Sequence, residues 1–131
     1  MEHTNPQFDI KMVIEENFLL VIASGIYSLI KANNLFKFAI DNGVSQNKSN
    51  ILIDVINISG SIPFFDRFKY SEFLANYVGM NAATKIIRVA VAGQEPIVHK
   101  EKFGETAAVN RGANVRVFTD MNKALIWVNE K

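Results

Sequence analysis

Residues 102–120 read K-F-G-E-T-A-A-V-N-R-G-A-N-V-R-V-F-T-D, and this stretch decides the fold class. An amphipathic segment over 102–111 stops at Asn110-Arg111-Gly112, because glycine enters the left-handed conformation that ends helices at little cost. Val115-Arg116-Val117-Phe118 follows at once and is rich in β-branched and aromatic residues, the mark of a strand. Thr119-Asp120 comes next, and either side chain can cap a new helix. Helix, strand and helix in immediate succession imply a sheet with helices packed against it.

The rest of the chain extends this unit. Residues 8–14 alternate, with Phe8, Ile10, Met12 and Ile14 on one side and Asp9 and Lys11 on the other, which is strand periodicity. Glu15-Glu16-Asn17 makes a turn, and residues 18–24 form a nearly continuous apolar strand, the pattern of burial on both faces. Over 27–42 the period becomes helical: Leu29, Ala32, Phe36, Ala39 and Ile40 share one face, and Asn42-Gly43 is a stop signal. Residues 51–56 read as a third, buried strand, and 57–63 as a loop holding Ser59, Gly60 and Ser61. Pro63 suits the first turn of a second helix, which runs to about residue 77 with Phe65, Phe68, Tyr70, Phe73, Leu74 and Tyr77 inward or flanking. A fourth strand over 85–92, a loop over 93–100, a third helix over 102–111 and a fifth strand over 114–118 follow. The last helix carries Met121, Ala124, Leu125 and Val128 as its apolar stripe, with Trp127 beside it. The order β-β-α-β-α-β-α-β-α predicts an α/β fold in one domain over 1–131: a five-stranded, mostly parallel mixed sheet with four helices. Residues 1–7 are polar and read as a flexible tail.

Composition narrows the function classes. Apolar residues make up 49% and charged residues 21%, enough to build a packed core and to set disorder aside. The net charge of +1 is too weak for a nucleic-acid footprint, which needs clustered Lys and Arg. The chain has no cysteine, which excludes disulfides, thiolate catalysis and iron–sulfur clusters and is compatible with the cytoplasm. The longest apolar stretch, 18–30, has 13 residues, short of the ~20 a spanning helix needs. No membrane span and no cofactor are expected.

Few residues offer chemistry. His3 and His99 are far apart and lack ligand spacing, and the lone carboxylates Asp54 and Asp66 do not form an acid–base pair. An enzyme would need Asp54, His99 and Arg111 to converge in one cleft. Two readings fit Asn110-Arg111-Gly112: a helix end with Arg111 at the negative pole of the dipole, or an anion- or partner-binding corner that includes Arg116. The loop over 57–63 joins a strand to a helix, where ligands gather in open α/β sheets, although it resembles no phosphate-binding motif. Ser61 there either caps the helix or faces a ligand. Phe64, Phe65, Phe68, Tyr70, Phe73 and Tyr77 exceed what one helix face can bury, so they either crowd the core or line a pocket or partner surface.

Ile51-Leu52-Ile53-Asp54-Val55, with the loop and helix after it, resembles a STAS domain, the fold of anti-sigma factor antagonists and of sulfate-transporter tails. The segments Arg67-Phe68, Lys102-Phe103-Gly104-Glu105-Thr106, Asn110-Arg111-Gly112, 115–120 and Ala124-Leu125-Ile126-Trp127 resemble the small stand-alone bacterial proteins of the STAS/SEC14-like group, over roughly residues 50–130. The resemblance implies a non-enzymatic cytoplasmic regulatory module that binds a protein partner or itself. Ser59, Ser61, Phe64, Arg67, Phe68, Asn110 and Arg111 are then the candidate surface. The SEC14-like side implies the alternative, a carrier or sensor of a small lipophilic ligand. Antagonists that act as phosphorylation switches carry an Asp-Ser pair at the start of the helix after the third strand. This chain has Gly60-Ser61-Ile62-Pro63 there, so the switch does not carry over residue by residue.

Overall fold

The computed structural model describes residues 7–63, 65, 66, 69, 72, 73, 76, 77, 88–94 and 114–130. Five strands are defined: β1 (Asp9–Ile14), β2 (Leu19–Ile26), β3 (Asn50–Ser59), β4 (Arg88–Ala92) and β5 (Val115–Phe118). They form one sheet in the order β1-β2-β3-β4-β5, antiparallel between β1 and β2 and parallel from β2 onward. The mixed sheet with an opening hairpin is the one the sequence predicts. Two helices are delimited among the described residues, α1 (Leu29–Ser45) and α2 (Met121–Asn129), rather than the four expected. The described residues between 65 and 77 are helical, and the expected third helix at 102–111 lies outside the described residues, as does most of the tail at 1–7.

Strand pleating sorts the core into two layers. Ile51, Ile53, Val55, Val89 and Val115 point to one face, where Leu35, Phe36, Ala39 and Ile40 of α1 cover them. Leu52, Ala90 and Ala92 point to the other, against Ala124, Trp127 and Val128 of α2. The two alanines of β4 leave the space that the indole fills. Trp127 is thus a core residue, not one beside the stripe. Each fully buried Leu or Ile of this sheet contributes on the order of 2 kcal/mol of hydrophobic free energy.

Polar groups finish α2. Its last carbonyls have no partners within the helix. The Asn50 amide donates to Val128 O at 2.8 Å, and the Arg88 guanidinium donates to Trp127 O and Glu130 O at 2.9 Å each. At the other end Asp120, rather than Thr119, is the cap, accepting from the amides of Asn122 and Lys123.

The end of α1 corrects the expected stop at Asn42-Gly43. Gly43 is buried inside the helix, which runs on to Ser45. Asn47 takes the left-handed conformation instead, at φ 59°. Its N–H donates to Val44 O at 3.2 Å and that of Lys48 to Gly43 O at 2.8 Å, the paired bonds of a Schellman termination. Asparagine tolerates this conformation better than other side chains do. Asn47→Ala is therefore expected to lower stability by about 1 kcal/mol, and Asn47→Gly to leave it unchanged or slightly higher. Urea denaturation of both variants checks the pair.

Candidate functional site

The sheet ends unevenly. β3 pairs with β4 only as far as Asp54 against Ala92, yet it stays paired with β2 to Ser59 against Ile26. Residues 55–59 therefore carry the β2–β3 pair beyond the end of β4. The strand runs three residues past the carboxyl end of its apolar run, and the reason is a bulge. Ile22 pairs with Asp54 and Ser24 with Asn57, so Val55 and Ile56 stand against Ala23 alone. The bulge shifts the pleat by one residue. Val55 and Ile58 both reach the first core layer, and Ile56 turns outward. The Asp54 carboxylate accepts the Ile56 N–H at 3.0 Å, which fixes the bulged backbone.

Backbone bonds hold the next turn. Tyr27 N–H donates to Ser59 O at 2.8 Å, and the Ser59 hydroxyl reaches Gly25 O at 3.5 Å. Gly60 has φ +104°, where an L side chain is strained although the space for a Cβ is ordinary. Ile62 packs onto the first core layer, and Asp66 N–H donates to Pro63 O at 2.9 Å as the chain becomes helical.

Two tyrosine–aspartate bonds fasten the helical residues that follow. The Tyr27 hydroxyl, from the β2–α1 junction, donates to Asp66 Oδ2 at 2.9 Å. The Tyr77 hydroxyl donates to Asp41 Oδ1 on α1. The Phe73 and Tyr77 rings stack at 5.9 Å and lean on the first core layer. The bond to Asp41 is the main reason the Tyr77 phenol is pushed up to about 12, helped by burial and by the Asp41 charge.

The structure redistributes the expected site residues. Ser59 is the last residue of β3, not a loop residue, and both it and Ser61 are exposed. Phe64, Arg67, Phe68, Asn110 and Arg111 lie outside the described residues. Arg116, considered for an anion corner, sits with its guanidinium 5.1 Å from the centre of the Trp127 ring, and Arg88 sits at 5.6 Å from it. Of the three residues an enzyme would converge, Asp54 holds the bulge, and His99 and Arg111 lie outside the described residues. Among the described residues no group of three or more His, Asp or Glu is placed to hold a metal ion. No described helix is long and apolar enough to cross a membrane.

Sequence reading missed two of three exposed apolar side chains at this end of the sheet, Ile26 and Ile30, and left Phe65 open between the core and a partner surface. Ile26 is 67% exposed, Ile30 64% and Phe65 67%. Ile26 ends β2 beside Gly60, Ile30 lies in the first turn of α1, and Phe65 adjoins the Asp66 that Tyr27 holds. Phe65 was expected inward or flanking and instead faces solvent. The available signal was position: Ile26 and Ile30 bracket the helix cap Ser28 and fall off the Ala32–Phe36 face. Beneath the loop is an apolar hollow of about 40 Å³, lined by Phe8, Tyr27, Phe36, Val55, Ile58 and Ile62 among others.

No family model and no curated protein matches the chain. Solved structures do. The fold is similar to that of an anti-sigma factor antagonist from Mycobacterium paratuberculosis, over 97% of this chain and 98% of that one, with a TM-score of 0.59 and 15% identity. It is also similar to an uncharacterized protein of the DUF3478 family with a SpoIIAA-like fold, from Shewanella loihica PV-4. That likeness covers 98% of each chain, with a TM-score of 0.51 and 18% identity. At these identities the likeness shows the fold: a STAS-like α/β sheet.

The Tyr77–Asp41 bond predicts a pH signature. The folded phenol titrates above its ordinary value of 10.0, so its contribution is whole below pH 10 and is lost as pH rises toward 12. Tyr77→Phe is expected to cost up to about 1 kcal/mol at pH 8, since the bond is partly solvent-screened. The gap between the variant and the parent should narrow on going to pH 11. Denaturant titrations at both pH values measure it.

Proposed function

We propose that this protein is a non-enzymatic regulatory module that docks a protein partner on the carboxyl end of its sheet. The contact surface is the turn Ser59-Gly60-Ser61 with Ile26, Ile30 and Phe65 around it. Phe64, Arg67, Phe68, Asn110 and Arg111 complete it on the sequence reading. One observation carries this proposal: three large apolar side chains, each about two-thirds exposed, flank a turn whose backbone is already fixed. Exposed apolar side chains gathered at one place mark interaction sites. A turn held in advance loses little entropy on binding.

The similarity to an anti-sigma factor antagonist supports a regulatory contact rather than a reaction. The partner would present a mainly apolar surface, because Ile26, Ile30, Phe65, Ser59 and Ser61 offer hydrocarbon and hydroxyls, with the Lys31 ammonium beside them on Ile26 O at 3.3 Å.

The alternative, a lipophilic ligand, has a candidate place in the hollow behind Ile62. At about 40 Å³ that hollow accommodates only a few water-sized spheres. Pockets for drug-sized ligands run to roughly 300–1,000 Å³. Protein docking is the reading we favour.

Affinity capture with the intact chain and with the double variant I26E/F65E tests it. Both changes are at exposed positions, so the variant should keep its circular dichroism and its melting temperature. It should lose, by about tenfold or more, a partner that the parent captures reproducibly. Equal capture by both chains, or no reproducible partner for either, contradicts the docking reading. Native mass spectrometry of the purified parent separates the alternative: docking predicts the bare mass, and a co-purifying lipophile would favour the carrier.

A further inference from the structure

The first strand is an edge. β1 is bonded to β2 on one side, and among the described residues no strand pairs with the other. Its six residues run in continuous register with β2 and carry no proline. Such an edge is a template for another strand unless something blunts it. Lys11 stands in its middle, and a lysine there ordinarily repels a second strand. Here Asp9 is two residues away on the same face, and both side chains are exposed.

This spacing makes the edge complementary to itself. We propose that β1 pairs antiparallel with β1 of a second copy of this chain, with Ile10 on the two-fold axis. Asp9 then stands opposite the second copy's Lys11, and Lys11 opposite its Asp9. Opposite charges directly across a ladder attract, and like charges repel. On the other face Phe8 meets Met12, and Ile10 meets Ile10. Ile10 and Met12 are only half-buried in one copy and pack on its first core layer, so pairing extends that layer across the axis.

Neighbouring registers are worse for stated reasons. With Asp9 on the axis, two carboxylates face each other, and with Lys11 on the axis two ammonium groups do. An axis between residues turns the core face of one copy toward the opposite side of the other, because side chains alternate. Only the Ile10 register matches both charge pairs and both faces. A two-fold contact of this kind closes on itself, so the edge is consumed and growth stops at two copies. The pairing surface is the outer edge of β1, whereas the carboxyl-end patch is carried by β2, β3 and the residues after them.

Sedimentation equilibrium of the full chain at micromolar to submillimolar concentration tests this. The parent is expected as a reversible dimer. Asp9→Lys or Lys11→Asp alone places like charges across both outer pairs and should weaken the dimer by about tenfold or more. The double variant D9K/K11D restores opposite charges in the same register and should recover the parent's affinity to within about threefold. The chain has no cysteine, so single substitutions report distance cleanly. Opposed Cα atoms in an antiparallel ladder lie about 4.5–5.5 Å apart, within disulfide range. Oxidised Ile10→Cys should therefore run as a covalent dimer, and Val13→Cys should not. A parent that stays monomeric over the whole range overturns the proposal. So does a dimer indifferent to the charge reversals, or one that Ile10→Cys fails to cross-link.

Discussion

Everything in this structure leans on β3, which buries side chains on both faces and then runs on past the end of β4. Ile51, Leu52 and Ile53 are fully buried in succession, two facing α1 and one facing α2. That run pins the two helix layers to one sheet. Past Asp54 the strand loses β4 as a neighbour while keeping β2. A strictly alternating strand would point Asn57 into the core there and Ile58 out. The bulge reverses the phase after Ile56, which stays outward, and returns Ile58 to the core. The cost of the extra residue is offset by the Asp54 carboxylate, which takes the Ile56 N–H. An aspartate with no acid–base partner in the sequence is thereby explained as a backbone brace.

The consequence for function is placement. Because β2 and β3 end together, Tyr27 and Ser59 can bond through their backbones, and the turn at Gly60 starts from a fixed point. Tyr27 then reaches on to Asp66, so one residue ties the strand end, the helix α1 and the helical residues beyond Pro63 together. Tyr77 repeats the device farther along, on Asp41. The apolar side chains at this end are exposed although the backbone that carries them is held. This combination suits recognition better than chemistry: rigid, hydrophobic and without a converging set of titratable groups among the described residues.

Much of the fold was legible in the residues. The two-residue period of 8–14 and the continuous apolar runs at 18–24 and 51–56 located three strands, and Ala32, Phe36, Ala39 and Ile40 located α1 with its buried face. What failed did so where local signals compete with tertiary ones. Asn57-Ile58-Ser59 reads as a loop because the bulge breaks the period that identifies a strand. Gly43 reads as a helix stop, but it is buried within α1, and Asn47 supplies the left-handed residue four positions later. Trp127 reads as flanking because only the alanines of β4, remote in sequence, show that there is room for it. The candidate site was legible as a place and not as a list of side chains. Ser59 and Ser61 are there, but the exposure of Ile26, Ile30 and Phe65 depends on where the sheet ends, which no local pattern encodes.

The central claim is that the carboxyl end of the β2–β3 pair is where a partner binds. Amide hydrogen exchange of the chain, alone and bound to its captured partner, tests it at residue level. The account predicts slower exchange on binding in residues 26–30 and 57–66, with β5 and α2 unchanged. Protection confined to β5 and α2, with residues 57–66 exchanging as in the free chain, would contradict it.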